Sequence, residues 1–417
     1  MSIHLTGKPV RQSAVLSVTW AVASLCAASL VGVAAPAGAT WVSGYYVGYQ
    51  RDLYPPDVVN YSAMTHLIVG RVVPSSNGTL NTTFDTYGGE ALAEDLVTRA
   101  KAAGTIPILM VGGAGTHDAF LSAASEANRP TFVNNLVTWA QSHGFAGLDL
   151  DWEPINPSDQ PVLLALIQSL RGLWTDAVLT IPVNFVNPNL APDVSFFGTI
   201  APYMDQINIM TYLMLMSGGG WYTWHNSALD GAQSHYPTSI SNNVDIYLRA
   251  VPPEKLGIGI PFFGACLTPP ASAPRQNVSF TVAATDNDMS YTNIVSSYYT
   301  SAAHYWDDAA KSPYLSFSSA TGPRGCGMVS YDDPQSIAER GAFVKSKGIG
   351  GTIIWTINQG YLPNNPPGQR DPMMDAIKAA FLSDQPPPTP SISVNDTSVT
   401  EGQAGTNTLS FEVLLSP

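Results

Sequence analysis

Short apolar segments alternate with amphipathic segments along most of this chain, and this alternation constrains the fold more than any other feature of the sequence. Apolar residues recur at helical spacing in residues 89–103, 130–143, 162–174, 239–250 and 334–347. Eight segments have the length and composition of buried strands: 43–49, 66–72, 106–112, 147–151, 178–182, 206–211, 256–261 and 351–355. Eight strands that alternate with helices predict an α/β fold in which a parallel sheet closes into a (β/α)8 TIM barrel.

The fourth predicted strand ends in a concentration of acidic residues. Asp149, Asp151 and Glu153 alternate with Leu150 and Trp152, so on a strand the three carboxyl groups share one face. Burying them together costs roughly several kcal/mol unless shared protons or hydrogen bonds compensate. A solvated acidic turn or a calcium loop is the alternative, but the alternation fits neither well. Active sites of such barrels lie at the carboxyl ends of the strands, so the acids predict acid catalysis there.

The N-terminal segment has the pattern of an export signal. Lys8 and Arg11 precede an apolar stretch over residues 14–35, and small residues end the segment at Ala39. This pattern predicts a signal peptide over residues 1–39 that is cleaved after Ala39, with an uncleaved membrane anchor as the alternative. We therefore expect a secreted, extracellular protein that has no membrane contact after cleavage.

The interval 265–325 interrupts the alternation, because it is too long for an ordinary connection and is rich in Ser, Thr, Tyr and Asn. It predicts a small inserted subdomain after the seventh strand. Cys266 and Cys326 bracket the interval and are the cysteines that remain after signal cleavage. In an oxidising compartment they could pair, and the alternative is two buried free thiols. Neither cysteine has a metal-ligand spacing, so we predict no metal site and no cofactor.

The C-terminal part differs in composition from the barrel region. Residues 383–390 are rich in proline and predict a semi-rigid linker. Strand-like stretches follow at 391–394 and 408–415, around a glycine-containing turn. This segment, 391–417, resembles the opening of a Calx-beta domain, a β-sandwich module. Because a few strands cannot close a sandwich, we expect either a truncated, incomplete all-β tail or a disordered one.

The charge balance narrows the class of ligand. The formal charge of −13 becomes −15 once the two basic residues of the signal segment are removed. Such a charge repels nucleic acid and anionic membranes. Charged residues make up only 12% of the chain, while aromatic residues, Gly, Pro and Asn are frequent. This composition favours an exported protein that handles a neutral ligand such as a sugar.

The stretch Gly-Leu-Asp-Leu-Asp-Trp-Glu over residues 147–153 resembles the catalytic strand of glycoside hydrolase family 18, the chitinases and endo-β-N-acetylglucosaminidases. Further stretches that are similar to motifs of this family follow in the family's usual order at 110–113, 207–212, 225–229, 259–264, 331–334 and 350–355. Together they cover about residues 43 to 380. The resemblance implies a catalytic domain over residues 40–382.

The resemblance also implies roles for the acids. Glu153 would protonate the leaving glycosidic oxygen and later activate water, while the substrate's own N-acetyl carbonyl attacks the anomeric carbon, so the reaction retains configuration. Asp151 would hold the acetamido N–H, and Asp149 would share a proton with Asp151 deeper in the barrel. Tyr212 would donate to the acetamido carbonyl oxygen.

A second group of residues would bind the sugar. Trp355 would form the floor of the subsite through its apolar ring face, and Met210 would pack under the acetamido group. The other predicted substrate-binding residues are Trp221 and Trp224 on the loop after the sixth strand, Gly112 at the end of the third and Tyr49 at the end of the first. The implied partner is chitin or another glycan that contains N-acetylglucosamine, and we expect a monomer.

Some positions depart from the family pattern. Ala146 and Met110 replace an acid and a serine that support the site, and Leu213 replaces the acid that follows Tyr212. In the family that acid touches the bound sugar, so its loss bears on turnover and substrate. The leading hypothesis is a secreted hydrolase that cuts chitin. The alternatives are an endo-β-N-acetylglucosaminidase that acts on N-glycans and a non-catalytic, chitinase-like carbohydrate-binding protein.

Overall fold

A computed structural model describes residues 40–383, together with the backbone of residues 391–394 and 413–416. Its strands are β1 (Trp41–Val47), β2 (His66–Pro74), β3 (Leu80–Asn81), β4 (Ile106–Gly112), β5 (Gly147–Asp151), β6 (Val178–Asn184), β7 (Gln206–Met210), β8 (Leu256–Pro261), β9 (Ala265–Leu267), β10 (Val282–Ala284), β11 (His304–Asp307), β12 (Ser312–Thr321), β13 (Cys326–Ser330), β14 (Gly351–Trp355), β15 (Ser391–Val394) and β16 (Val413–Ser416).

The helices connect and cover these strands. They are α1 (Gly89–Ala102), α2 (His117–Ala123), α3 (Arg129–Ser142), α4 (Gln160–Leu173), α5 (Ser195–Ile200), α6 (Ile240–Tyr247), α7 (Tyr291–Ser297), α8 (Pro334–Lys347) and α9 (Pro372–Ile377). Most of the long ones begin with proline in the first turn, where its missing N–H costs no hydrogen bond. A left-handed glycine, Gly348, ends α8.

Eight parallel strands close into a barrel. Their order is β1-β14-β8-β7-β6-β5-β4-β2, and β2 pairs back with β1. Gly44 of β1 lies opposite Ile354 on one side and opposite Leu67 on the other, which closes the ring. The predicted TIM barrel is confirmed, and the bounds of β4, β5, β8 and β14 agree with those predicted from the sequence.

Strand alternation sorts the side chains into two layers. Leu148 and Leu150 point outward and belong to the main hydrophobic cluster, which also contains Leu163 and Leu166 of α4. A separate cluster fills the barrel interior with Tyr45, Ile68, Ile108, Met110, Met210, Tyr212, Phe263 and Ile353. The side chains of β5 that point inward are therefore the acids, because the leucines between them occupy the outer layer.

The predicted insertion after β8 is a second sheet. Its five antiparallel strands have the order β10-β9-β13-β12-β11, and α7 lies within the same interval. The sheet runs to Ser330, five residues beyond the predicted end at residue 325. A disulfide bond joins Cys266 on β9 to Cys326 on β13, with their Cα atoms 5.3 Å apart. This bond decides between the two cysteine states that the sequence left open.

The predicted signal segment 1–39 and residues 384–390 of the predicted linker lie outside the described residues. In the C-terminal tail, β15 and β16 pair antiparallel with each other, whereas residues 395–412, which separate them, also lie outside the described part. No helix within the described ranges is long and apolar enough to cross a membrane.

Candidate active site

Asp149 is the innermost acid of β5, and both of its carboxylate oxygens accept hydrogen bonds. The Tyr45 hydroxyl donates to Oδ2 over 2.9 Å, and the Thr180 hydroxyl donates to Oδ1 over 2.6 Å. Complete burial nevertheless raises the pKa of Asp149 to about 6, because these two hydrogen bonds only partly offset the loss of hydration. Asp149 is therefore an acid fixed in one orientation by neighbours on β1 and β6.

Asp151 and Glu153 form a carboxyl pair at the mouth of the barrel. Burial raises the pKa of both groups, and the charges of Glu153 and Asp149 raise that of Asp151 further. The two carboxyls are hydrogen-bonded to each other, which requires that one of them carries a proton. Oδ1 of Asp151 is buried and has no hydrogen-bond partner among the described residues. The pair can therefore hold a proton and still accept a donor from a bound ligand.

Tyr212 faces these acids from the end of β7. Burial raises the pKa of its hydroxyl well above the ordinary value, and the charges of Glu153, Asp151 and Asp149 add to this effect. The hydroxyl has no hydrogen-bond partner within residues 40–383, so it is a protonated donor that is free for a ligand. A Cβ atom at Gly259 would lie 2.7 Å from the Tyr212 ring, so glycine at that position leaves room for the ring.

The acids open into a cleft of about 610 Å³. Among the predicted binding residues, Tyr49, Met210 and Trp355 line it. The ring of Trp355 packs at 57° against that of Tyr45, with 5.3 Å between the ring centroids. The complete lining consists of Tyr45, Val47, Tyr49, Arg71, Asp85, Met110, Gly113, Ala114, Asp151, Glu153, Pro182, Met210, Tyr212, Leu213, Phe263, Thr285, Asp286 and Trp355. The cleft wall is mostly apolar, but five charged side chains converge on it, and this combination is typical of a small-ligand site.

The inserted subdomain contributes Asp286 to the rim of this cleft. Burial raises the pKa of Asp286, which accepts hydrogen bonds from the Trp355 side chain and, over 2.6 Å, from the Gln359 amide. The insertion thereby fixes the indole at the end of β14. Sequence reasoning did not find Asp286, because nothing in residues 265–325 marks one acid above the others.

Two predicted binding residues lie elsewhere. The prediction for Trp224 is wrong: the ring is fully buried in the core of the inserted subdomain, and its N–H donates to the Thr238 carbonyl over 2.7 Å. Gly112 is also absent from the cleft wall, which Gly113 and Ala114 form instead. A Cβ at Gly112 would lie 2.2 Å from the Phe120 ring, so this glycine allows the turn to pack rather than touching a ligand.

Trp221 lies on the glycine-rich loop after β7 and is half-buried. Its backbone N–H donates to the Gly218 carbonyl over 3.0 Å. Its side chain is not part of the described cleft lining, so a role for Trp221 in an outer subsite stays a prediction.

Leu213, the departure noted in the sequence, lies in the cleft wall. Its side chain is exposed, and its φ of 55° lies in the left-handed region, where Asn, Asp and Gly are favoured over leucine. The buried side chain of Asn226 holds this conformation: its Oδ1 accepts from the Leu213 N–H over 3.0 Å, and its Nδ2 donates to the Phe263 carbonyl over 3.1 Å. The wall thus keeps a backbone suited to a polar residue but presents an apolar one.

Arg71 and Asp85 are cleft residues that the sequence analysis missed. Arg71 lies near the end of β2, and its Nε donates to Asp85 Oδ2 over 2.7 Å. It is the only Lys, Arg or His side chain in the described cleft lining. A charged residue within the predicted second strand was the available signal, because strands of a parallel barrel are usually apolar throughout.

These features agree with comparisons to known proteins. Residues 42–360 match the family described as "Glycosyl hydrolases family 18". Because the match covers more than half of the chain, the protein belongs to this family, as its resemblance predicted.

Individual relatives have different descriptions. The chain is 26% identical to a "chitinase-like effector" of Moniliophthora perniciosa, over 81% of this chain and 86% of the relative. It is 30% identical to a "Probable endochitinase" of Caenorhabditis elegans over 61% of this chain, and 28% identical to "Chitinase A1" of Niallia circulans over 60%. It spans only 44% and 40%, respectively, of these two relatives.

Solved structures show the same fold. The Group IV chitinase of Ostrinia furnacalis matches with a TM-score of 0.71 and 21% identity, over 82% of this chain and 99% of that one. A chitinase variant of Cycas revoluta in complex with (GlcNAc)4 matches with a TM-score of 0.63 and 24% identity, over 82% and 98%.

Proposed function

We propose that this protein is an exported glycoside hydrolase that cleaves β-1,4-linked N-acetylglucosamine polymers such as chitin. The observation that carries the proposal is the pairing of an unpartnered, buried Asp151 oxygen with an unpartnered Tyr212 hydroxyl in one cleft. An acetamido group offers one N–H donor and one carbonyl acceptor, so it complements this pair. Export rests on the signal-like pattern of residues 1–39.

The proposed reaction uses the substrate as its own nucleophile. Asp151 accepts the acetamido N–H in its ionised form, so binding moves the proton of the carboxyl pair toward Glu153. The acetamido carbonyl oxygen, held by Tyr212, bonds to the anomeric carbon as the bond to the leaving oxygen breaks, and Glu153 gives that oxygen its proton. Water then attacks the anomeric carbon as its bond to the acetamido oxygen breaks, which regenerates the acetamido group, and the water loses a proton to Glu153, which restores the enzyme.

The Glu153→Gln variant tests this assignment. Glutamine keeps the shape of the side chain but cannot donate the proton, so kcat on chitohexaose should fall by about 10²–10⁴-fold. Binding of the hexamer, measured by calorimetry, should persist. Glu126→Gln, a change outside the cleft, is the matched control and should keep the wild-type rate. Near-wild-type turnover in Glu153→Gln would show that another group supplies the proton.

A second candidate function is carbohydrate binding without cleavage. Leu213 in the cleft wall favours it, because an apolar side chain stands where a polar contact to the sugar is expected. The similarity to a "chitinase-like effector" also supports it. Hexamer binding by the wild type with no product after prolonged incubation would favour this candidate over hydrolysis.

The substrate alternative within the hydrolase proposal is an N-glycan. The same acids would cleave the chitobiose core of such a glycan, because it carries the same acetamido group. Parallel digestion of chitohexaose and a high-mannose glycoprotein separates the two, and we expect cleavage of the hexamer alone.

A further inference from the structure

The turn formed by residues 112–114 is hydrogen-bonded through its backbone to the strand end that carries Asp151 and Glu153. The Gly113 N–H donates to the backbone carbonyl of Asp151 over 2.6 Å. The Ala114 N–H donates to the Glu153 carboxylate, which lowers the pKa of Glu153 against the larger effect of burial. A shift of this turn would therefore move the hydrogen-bond donor of Glu153.

Arg71 is hydrogen-bonded to the same turn. Its Nη1 donates to the Gly112 carbonyl over 2.9 Å and makes a longer contact of 3.5 Å with the Ala114 carbonyl. Gly113 has a φ of 95°, and a Cβ atom there would lie 2.7 Å from Arg71 Nη1. Glycine at position 113 adopts this φ without strain and leaves room for the guanidinium beside the turn.

Asp85 fixes the orientation of Arg71. It accepts from Nε in an ion pair whose two side chains are 25% and 33% exposed. The loop that carries Asp85 is anchored by Phe84, which is buried in the main core. Phe84 and Asp85 both have left-handed backbones, with φ values of 52° and 53°.

The charge of Arg71 also acts on the acids. Burial raises the pKa values of Asp151 and Glu153, and the positive charge of Arg71 lowers both. The other titratable groups that face Glu153 around the cleft are Asp149 and Asp151 of β5, Tyr45 of β1, Tyr49 after β1, Asp85 after β3, Tyr212 after β7 and Asp286 of the insertion. Arg71 is the one cation in the described lining of the cleft, and the charge of Asp85 partly neutralises it.

We propose that Arg71 and Asp85 form an ion-pair clamp that positions the 112–114 turn against Glu153 and sets the charge beside the proton-donating carboxyl. Arg71 and Asp85 are positioning residues, since they act through the turn and through charge. The inference deepens the proposed function and rests on it for the role of Glu153. Because Arg71 and Asp85 carry opposite charges, removal of one charge should move the titration of Glu153 in the direction opposite to removal of the other.

The test is a titration of the Glu153 carboxyl in the full chain by ¹³C NMR. The sequence contains eight glutamates, and the signal of Glu153 is identified by its loss in Glu153→Gln. Arg71→Met removes a positive charge, so the midpoint should move to higher pH. Asp85→Asn removes the negative partner, so the midpoint should move to lower pH. Arg71→Lys keeps the charge and should stay near the wild type.

Matched controls use the Arg99–Asp95 pair on the surface of α1. Arg99→Met and Asp95→Asn should leave the midpoint of Glu153 unchanged. If Arg71→Met does not fold, as judged by circular dichroism, Arg71→Gln takes its place as the neutral variant. Midpoints that move in the same direction in Arg71→Met and Asp85→Asn, or that do not move at all, would overturn the clamp.

Activity supplies the second readout. The basic limb of kcat/KM on chitohexaose should move with the NMR midpoint, because Glu153 must be protonated to act. In Arg71→Lys, which lacks the planar fork, kcat should fall roughly 10-fold with little change in KM, since the turn is less well held. If the wild type never hydrolyses the hexamer, the proposed function is refuted. The clamp would still stand if the Glu153 midpoint moved to higher pH in Arg71→Met and to lower pH in Asp85→Asn.

Discussion

Three acids on one strand have three different environments. Asp149 has two hydroxyl donors, Asp151 has a free oxygen, and Glu153 is half-buried at the cleft. The sequence was sufficient to place the acids on one face, because strand alternation is local. It could not supply Tyr45 or Thr180, which lie 104 and 31 residues from Asp149 along the chain.

Asp149 makes the stability of the protein depend on pH. Its pKa is about 6 in the folded protein and about 3.9 in an unfolded chain, so the folded state binds more protons between these values. Stability is therefore fully present below about pH 4 and falls as pH rises through about 6, by up to about 3 kcal/mol for this group. Asp149→Asn should remove this loss.

Urea unfolding of both proteins at pH 4 and pH 7 measures the effect. The free energy of unfolding of Asp149→Asn, relative to the wild type, should rise between the two pH values. Other buried acids with a raised pKa, such as Asp332 and Asp371, are present in both proteins and largely cancel. Asp176→Asn, at an exposed site, should show no such change. A pH-independent difference for Asp149→Asn would contradict the prediction.

Elements with strong periodicity were predictable and short ones were not. Most of the parallel strands were predictable because they are largely apolar runs of strand length, but α2 and α5, of seven and six residues, have too few turns to show a helical period. Trp224 was misplaced for a related reason. An aromatic residue on a loop fits a cleft and a core equally well, and here the loop after β7 packs on the inserted sheet.

The disulfide bond of the inserted sheet joins two cysteines with a sequence separation of 60 residues. In the chain-entropy picture, a cross-link that closes a loop of this length stabilises the folded protein by about 4 kcal/mol. The double variant Cys266→Ser/Cys326→Ser should lower the free energy of unfolding by that order.

Reduction of the wild type should give the same loss, and a reductant should have no effect on the double variant. Chemical denaturation with and without dithiothreitol measures both. Equal stability of the oxidised wild type and the double variant would show that the bond contributes nothing to the folded state.

At the scale of the molecule, the cleft is assembled from distant parts of the chain. Its described lining runs from Tyr45 to Trp355 and includes Asp286 from the insertion. All of these residues lie within 40–383, so removal of residues 384–417 should leave kcat and KM on chitohexaose unchanged. Steady-state kinetics of the shortened and full chains test this. A lower KM in the full chain alone would assign substrate binding to the tail.

Closure of the barrel has a consequence for how the protein is made. The first strand, β1, pairs with β14, and Trp41 lies opposite Gly351. The barrel therefore cannot close until both strands have been synthesised. At about 5–20 residues per second, a ribosome takes roughly 15 to 60 s to cover the distance between them. During that interval the nascent chain has two unsatisfied sheet edges and an open apolar interior. A cell that produces this protein must prevent the incomplete sheet from aggregating with other chains until β14, the last barrel strand, emerges from the ribosome.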